Sequence, residues 1–226
     1  LKYTLHRALT LKKTTAERIV REIHSAMFIA VRQGKKGTIN GVPVEKVEAD
    51  IKASYQKIQQ LISNYAVLKA AILRSNAGVQ DPAAIKKVTV AGKQYTMAEL
   101  ISASDEIYGN KKHGDAFYAR LLQVMRSAYT DTISKVERQH ERVEQNIRDY
   151  LAKAATSDKG MTSEEIKRRS DMFHEDGDFV IVDPLGLKEV IDKLDAEIKE
   201  FRADADATMS EQNALNTIDV DLTVVD

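Results

Sequence analysis

The sequence predicts a mainly α-helical protein of long antiparallel coiled-coil helices, with small β-hairpins and strands at the helix ends. Three observations carry that expectation. The chain has 226 residues but only 3 Pro and 10 Gly, which favours long uninterrupted elements. Apolar residues recur three and four apart over long stretches, the spacing that puts them on one helix face. Hydrophobic residues make up 43% of the chain but aromatics only 6%, so the core is mostly Ala, Leu, Ile and Val, as narrow helix–helix seams require.

Taken in order along one elongated helical domain over 1–226, the first element is a helix over 1–33. It carries Leu5, Leu9, Ile19, Ile23, Met27 and Ala30 at helical spacing and stops at Gly34. A β-hairpin follows over 34–44, because Asn40-Gly41 between short β-branched runs suits a type I′ turn, whose two central residues need positive φ. A second helix runs over 45–77 on Val47, Ile51, Tyr55, Ile58, Ile62, Tyr65, Leu68 and Ile72. A second hairpin over 86–95 turns at Ala91-Gly92, so a helix–hairpin–helix arrangement occurs twice.

Thr96 with Glu99 then forms a capping-box sequence that opens a long helical region over 96–155. Gly109 and Gly114 break it near 109–114, since each Gly costs about 1 kcal/mol inside a helix. Beyond the break, Phe117, Leu121 and Val124 form a seam, which resumes after a phase shift at Val136, Val143 and Ile147. A short helix over 162–174, capped by Thr162 and Glu165, leads to an apolar strand over 179–182. Asp183-Pro184 reads as N-cap and first turn of a last helix over 184–210. That helix has the most regular heptad in the chain: Leu187, Ile191, Leu194, Ile198 and Phe201. A tail over 217–224, with Ile218 and Val220, alternates like a terminal strand.

Isolated hairpins are marginal in water, so the short strands should join one small sheet or pair with a neighbouring subunit. Phe179, Val180, Ile181, Val182, Ile218 and Val220 are the candidates for strand pairing, and the seam residues above are the candidates for helix contacts.

The same residues exclude several functions. Lys+Arg and Asp+Glu are each 34, for a net charge of zero, and opposite charges alternate along the helices. Nucleic-acid binders need a basic excess or a basic face. There is no Cys, hence no disulfide, thiolate metal site or Cys nucleophile. No run of about 18 apolar residues is present to span a bilayer, and Leu1-Lys2-Tyr3-Thr4-Leu5 lacks the apolar block of a signal peptide.

The five His residues (6, 24, 113, 140 and 174) make no metal-protease spacing. His140 falls on the helix seam, and His174-Glu175-Asp176-Gly177-Asp178 reads as an acidic turn, without the distal Glu of a calcium loop. Gly34-Lys35-Lys36-Gly37 lacks the leading Gly and trailing Ser/Thr of a phosphate-binding loop, and no Gly-x-Ser-x-Gly elbow occurs. The sequence therefore assigns no catalytic, cofactor-binding or metal site and no small-molecule substrate. It points to a protein that works by binding other proteins.

Several segments resemble a family of bacterial and phage coiled-coil proteins, some of which carry the label septicolysin. They are Ile72-Leu73-Arg74-Ser75-Asn76-Ala77, the turn at Gly92-Lys93, Tyr95-Thr96-Met97-Ala98-Glu99-Leu100, and Gln212-Asn213-Ala214-Leu215-Asn216. The Asn-Gly hairpin and the extension after Asn216 depart from the family pattern. The resemblance implies a helical, self-associating protein and supplies no catalytic residues. Its phage-encoded branch, with two hairpins and the Val-Asp-Pro entry to the last helix, implies a virion component of tail, baseplate or capsid, found in the particle or the host cytoplasm. Its partners would be copies of itself and other structural proteins. A membrane-active toxin and a cytoplasmic regulator that captures a host protein are the alternatives.

Overall fold

A computed structural model describes residues 3–78, 86–109, 116–155 and 161–215. It is mainly helical with a few short strands. In chain order the elements are α1 (Leu5–Ser25), β1 (Ala30–Gln33), β2 (Thr38–Ile39), β3 (Val42–Pro43), α2 (Val44–Asn76), β4 (Val88–Val90), β5 (Lys93–Tyr95), α3 (Met97–Ala103), a π-helical turn (Ser104–Tyr108), α4 (Phe117–Ala155), α5 (Ser163–Gly177), β6 (Phe179–Val182) and α6 (Leu187–Leu215).

The chain divides into two compact units. The first comprises Leu1–Val20, Gln60–Leu121 and Lys193–Asp226; the second comprises Arg21–Gln59 and Leu122–Asp192.

Local chemistry sets most element ends. The β2–β3 hairpin turns on Asn40 (φ 50°) and Gly41 (φ 83°), and the β4–β5 hairpin on Ala91 (φ 46°) and Gly92 (φ 72°), as type I′ turns require. Ala91 accepts a conformation that costs a non-Gly residue about 1–2 kcal/mol; its N–H donates to the Asp204 carboxylate at 3.1 Å, an anchor on α6. Both predicted capping boxes are complete. Thr96 and Glu99 exchange side-chain to backbone hydrogen bonds at the start of α3, and Thr162 and Glu165 do the same for α5.

The first helix differs from expectation. It ends at Ser25, not at 33, and Ala30–Gln33 is instead a strand antiparallel to β6, with Ala30 opposite Val182 and Gln33 opposite Phe179. The run Phe28-Ile29-Ala30-Val31 is apolar with β-branched Ile29 and Val31, and it has an extended apolar partner in Phe179–Val182. Strand pairing with a distant segment overrides the helical period that Met27 and Ala30 suggest.

The last helix also starts later, at Leu187 and not at 184. The Asp183 carboxylate accepts N–H bonds from Leu185 (3.2 Å) and Leu187 (2.7 Å), which folds 183–186 into a turn closed by Gly186 at φ 62°.

The strands do not merge into one sheet. Among the described residues they form three two-stranded ribbons, β1–β6, β2–β3 and β4–β5. The predicted tail strand over 217–224 lies outside the described residues.

Each unit has its own core. In the first, Ile62, Tyr65, Leu100, Phe117, Leu121, Ile198 and Phe201 are buried. In the second, Phe28, Ile51, Ile58, Met125, Val143, Ile147 and Leu187 are buried, and Ala30, Ile51 and Val182 pack together with Ile39, Val44, Val47 and Leu185 around them. This last cluster seats the β1–β6 ribbon on the first turns of α2.

Candidate functional site

The structure sorts the predicted contact residues by exposure. Leu187, Ile191, Leu194, Ile198 and Phe201 on α6 are all buried, as are Phe117, Leu121, Val143 and Ile147 on α4. Val124 and Val136 are half-buried. The chain's own atoms cover this seam, so it belongs to the interior of the protein. The strand candidates behave differently. Val182 faces the core, but Val180 and Ile181 are 39% and 38% exposed, a large apolar exposure on a four-residue strand. Ile218 and Val220 lie outside the described residues.

The ribbon is held at its open end by the junction between α5 and β6, all within the second unit. Gly34, just past β1, takes φ 53° and donates its N–H to the Asp178 carbonyl at 2.7 Å. An added Cβ there would sit 2.3 Å from the Glu175 carbonyl oxygen. Gln139 on α4 donates to the Gly177 carbonyl at 2.8 Å, and the ammonium of Lys135 lies 5.4 Å from the Phe179 ring centroid. A Cβ on Gly177 would come 2.7 Å from a Val143 methyl, so the small residue lets α5 approach α4 closely.

At this junction four polar side chains converge. His140 and Glu144 lie four apart on α4, and His174 and Asp178 four apart at the end of α5, so each pair projects from one face of its helix. His140 Nδ1 lies 3.3 Å from Asp178 Oδ1, and His174 Nδ1 lies 2.9 Å from Asp178 Oδ2. His174 Nε2 faces Glu144 Oε1 at 3.1 Å, and the two imidazoles stack with centroids 5.2 Å apart. The residues read from sequence as an acidic turn are instead the last turn of α5 and its C-cap, and His140, expected on the seam, is exposed; the two meet in one cluster. His140 and Asp178 are 38 residues apart, so no local motif announces them. The available signal was the repeated spacing of a His and a carboxylate four residues on.

The first unit holds a separate polar cluster. Glu106, on the π-helical turn, accepts from the Tyr65 hydroxyl at 2.5 Å and from the Lys69 ammonium at 2.7 Å. Burial pushes the Glu106 carboxyl up, but the hydrogen bonds from Lys69 and Tyr65, with the Lys69 and Lys12 charges, outweigh it and hold it below its ordinary value. A carboxyl with a depressed folded-state pKa adds stability above its unfolded-state pKa, and that stability is lost as pH falls through the folded-state value. Glu106→Gln is therefore expected to cost about 1–2 kcal/mol at neutral pH, and the gap to wild type should close in acid. Urea unfolding across the acid range checks this; a gap independent of pH would remove the charge from the explanation.

Beside this cluster lies a groove of about 380 Å³ lined by Ile62, Leu73, Tyr95, Ile107, Tyr108 and Tyr118 among others. Its lysines are engaged, Lys69 by Glu106 and Lys93 by the Tyr108 hydroxyl at 3.4 Å.

The fold and these features define a mainly helical protein with a two-stranded ribbon, whose β6 strand is apolar, and two polar side-chain clusters. No protein-family model, no curated protein and no solved structure matches the chain. Among the described residues, no helix is long and apolar enough to cross a membrane.

Proposed function

We propose that this protein is a non-enzymatic assembly subunit that associates with copies of itself through the free edge of β6. The supporting observation is the ribbon. β6 pairs with β1 on one side, and among the described residues no strand pairs with its other edge. Phe179-Val180-Ile181-Val182 carries no charge, Pro or Lys, the devices by which edge strands usually resist pairing. Two copies meeting antiparallel along β6 make a four-stranded sheet in the order β1-β6-β6-β1, a self-complementary two-fold interface. A net charge of zero leaves no long-range repulsion between copies.

In this reading the long helices pack as antiparallel coiled coils and act as the rigid body of the subunit. The resemblance to phage coiled-coil proteins supports placing that subunit in a virion, as a tail, baseplate or capsid-associated component. Other structural proteins of the particle are then its further partners.

Light scattering at increasing protein concentration tests the assembly role, together with negative-stain imaging for a symmetric oligomer. Val180→Lys places a charge on the edge and should leave the helical circular dichroism intact while converting the oligomer to monomer. A wild-type chain that stays monomeric at high concentration sinks the proposal. An oligomer that survives Val180→Lys and Ile181→Lys moves the interface off β6.

A further inference from the structure

We propose that His140, His174 and Asp178 form a binding site for a first-row divalent cation of the zinc type, with Glu144 as the residue that orients His174. One ligand atom from each of the three lies within 4.8 Å of the others. A single oxygen, Asp178 Oδ2, lies 2.9 Å from His174 Nδ1 and 3.4 Å from His140 Nδ1, close to the separation of about 3.3 Å between ligands set tetrahedrally around zinc at about 2.0–2.1 Å.

The second shell is independent evidence. A metal-bound His usually donates its other ring N–H to a carboxylate, which sets the tautomer and aims the ring. His174 has this arrangement, with Nδ1 toward Asp178 and Nε2 toward Glu144 at 3.1 Å. A neutral imidazole has one N–H and cannot donate to carboxylates on both sides. A metal ion at Nδ1 resolves that conflict, as a second ring proton would, and leaves the Nε2 proton to Glu144.

Imidazole nitrogens mixed with a carboxylate favour zinc, nickel or copper over magnesium and calcium, which prefer all-oxygen sets. His140 is more exposed than its two partners, so the fourth position opens to water. The site joins α4 to the residue immediately before β6, and a bound cation would clamp the base of the ribbon. Metal binding does not depend on the ribbon's role in assembly.

The test is calorimetric titration of the full chain, stripped with chelator, using zinc chloride, with cobalt(II) absorbance as a report on coordination. One zinc per chain is expected, with intense visible bands for the cobalt form. His140→Ala, at an exposed helix position, should keep the fold and lose the binding. Glu144→Gln should keep one site but weaken it about 10–100-fold. If the wild type takes up no zinc at millimolar metal, the proposal fails. It also fails if the double variant His140→Ala/His174→Ala, shown folded by circular dichroism, binds zinc as the wild type does.

Discussion

Gly34→Ala is expected to destabilise the second unit by about 2–5 kcal/mol. Two costs combine. A side chain at φ 53° enters the left-handed region, which costs about 1–2 kcal/mol. The new Cβ also falls 2.3 Å from the Glu175 carbonyl oxygen and 3.0 Å from Asp176, both backbone contacts that no rotamer change relieves. Overpacking of that kind costs a further ~1–3 kcal/mol. Relief requires the α5–β6 junction to move away from β1, which breaks the 2.7 Å bond from Gly34 N–H to Asp178.

Gly41→Ala supplies the control. Gly41 has φ 83°, but an added Cβ meets nothing within 4 Å, so it carries the backbone cost alone, about 1–2 kcal/mol. Urea midpoints at unchanged m-value measure both. Equal losses at the two glycines would remove the steric explanation.

Phe201→Ala is expected to cost about 3–5 kcal/mol in the first unit. The ring is fully buried, stacks on Tyr108 at 3.8 Å and 11°, and meets Tyr95 edge-on at 6.0 Å. Next to it, Arg202 donates to the carbonyls of Tyr108 (3.0 Å) and Gly109, so this turn of α6 holds the end of the π-helical segment. The truncation leaves a cavity between α6, the β4–β5 hairpin and that segment.

A spectroscopic readout follows. Burial first, and nearby Glu197, push the Tyr108 hydroxyl up to about 12; burial and Tyr108 do the same for Tyr95. Raised tyrosine values mean that stability is complete below the unfolded-state pKa of about 10 and declines as pH rises toward 12. Wild type should lose stability in that window, and tyrosinate absorbance should develop late. In Phe201→Ala the same absorbance should rise earlier, toward the ordinary tyrosine range. Unchanged tyrosine titration in a destabilised variant would mean that the ring does not shield those hydroxyls.

Much of the architecture was legible because its causes are local. Asn40-Gly41 and Ala91-Gly92 specify their hairpins through positive φ, and Thr96/Glu99 and Thr162/Glu165 specify helix starts through reciprocal hydrogen bonds. The break near Gly109 is of the same kind, since the π-helical turn stops there at φ 77°. The two displaced boundaries have non-local or competing causes. β1 is extended because β6 pairs with it from far along the chain, and Asp183 spends its carboxylate on a turn before α6 begins.

The same division holds for the candidate sites. The heptad of α6 correctly marks an apolar face, but periodicity is identical for a face buried inside one chain and one buried between two. Only packing shows Leu187, Ile191, Leu194, Ile198 and Phe201 to be covered internally. Likewise, the four-residue spacings of His140 with Glu144 and of His174 with Asp178 are visible in the sequence as pairs. The meeting of His140, His174 and Asp178 within 4.8 Å depends on α5 lying close against α4, which Gly177 permits by leaving room for Val143.

By itself, then, the sequence determined a mainly helical chain with hairpin turns and capped helix starts, because periodicity, turn chemistry and capping act within a few residues. Tertiary structure alone decided which apolar faces stay at the surface, that β1 pairs with β6, and which side chains converge. Those outcomes depend on contacts between segments tens of residues apart, and no local preference encodes them.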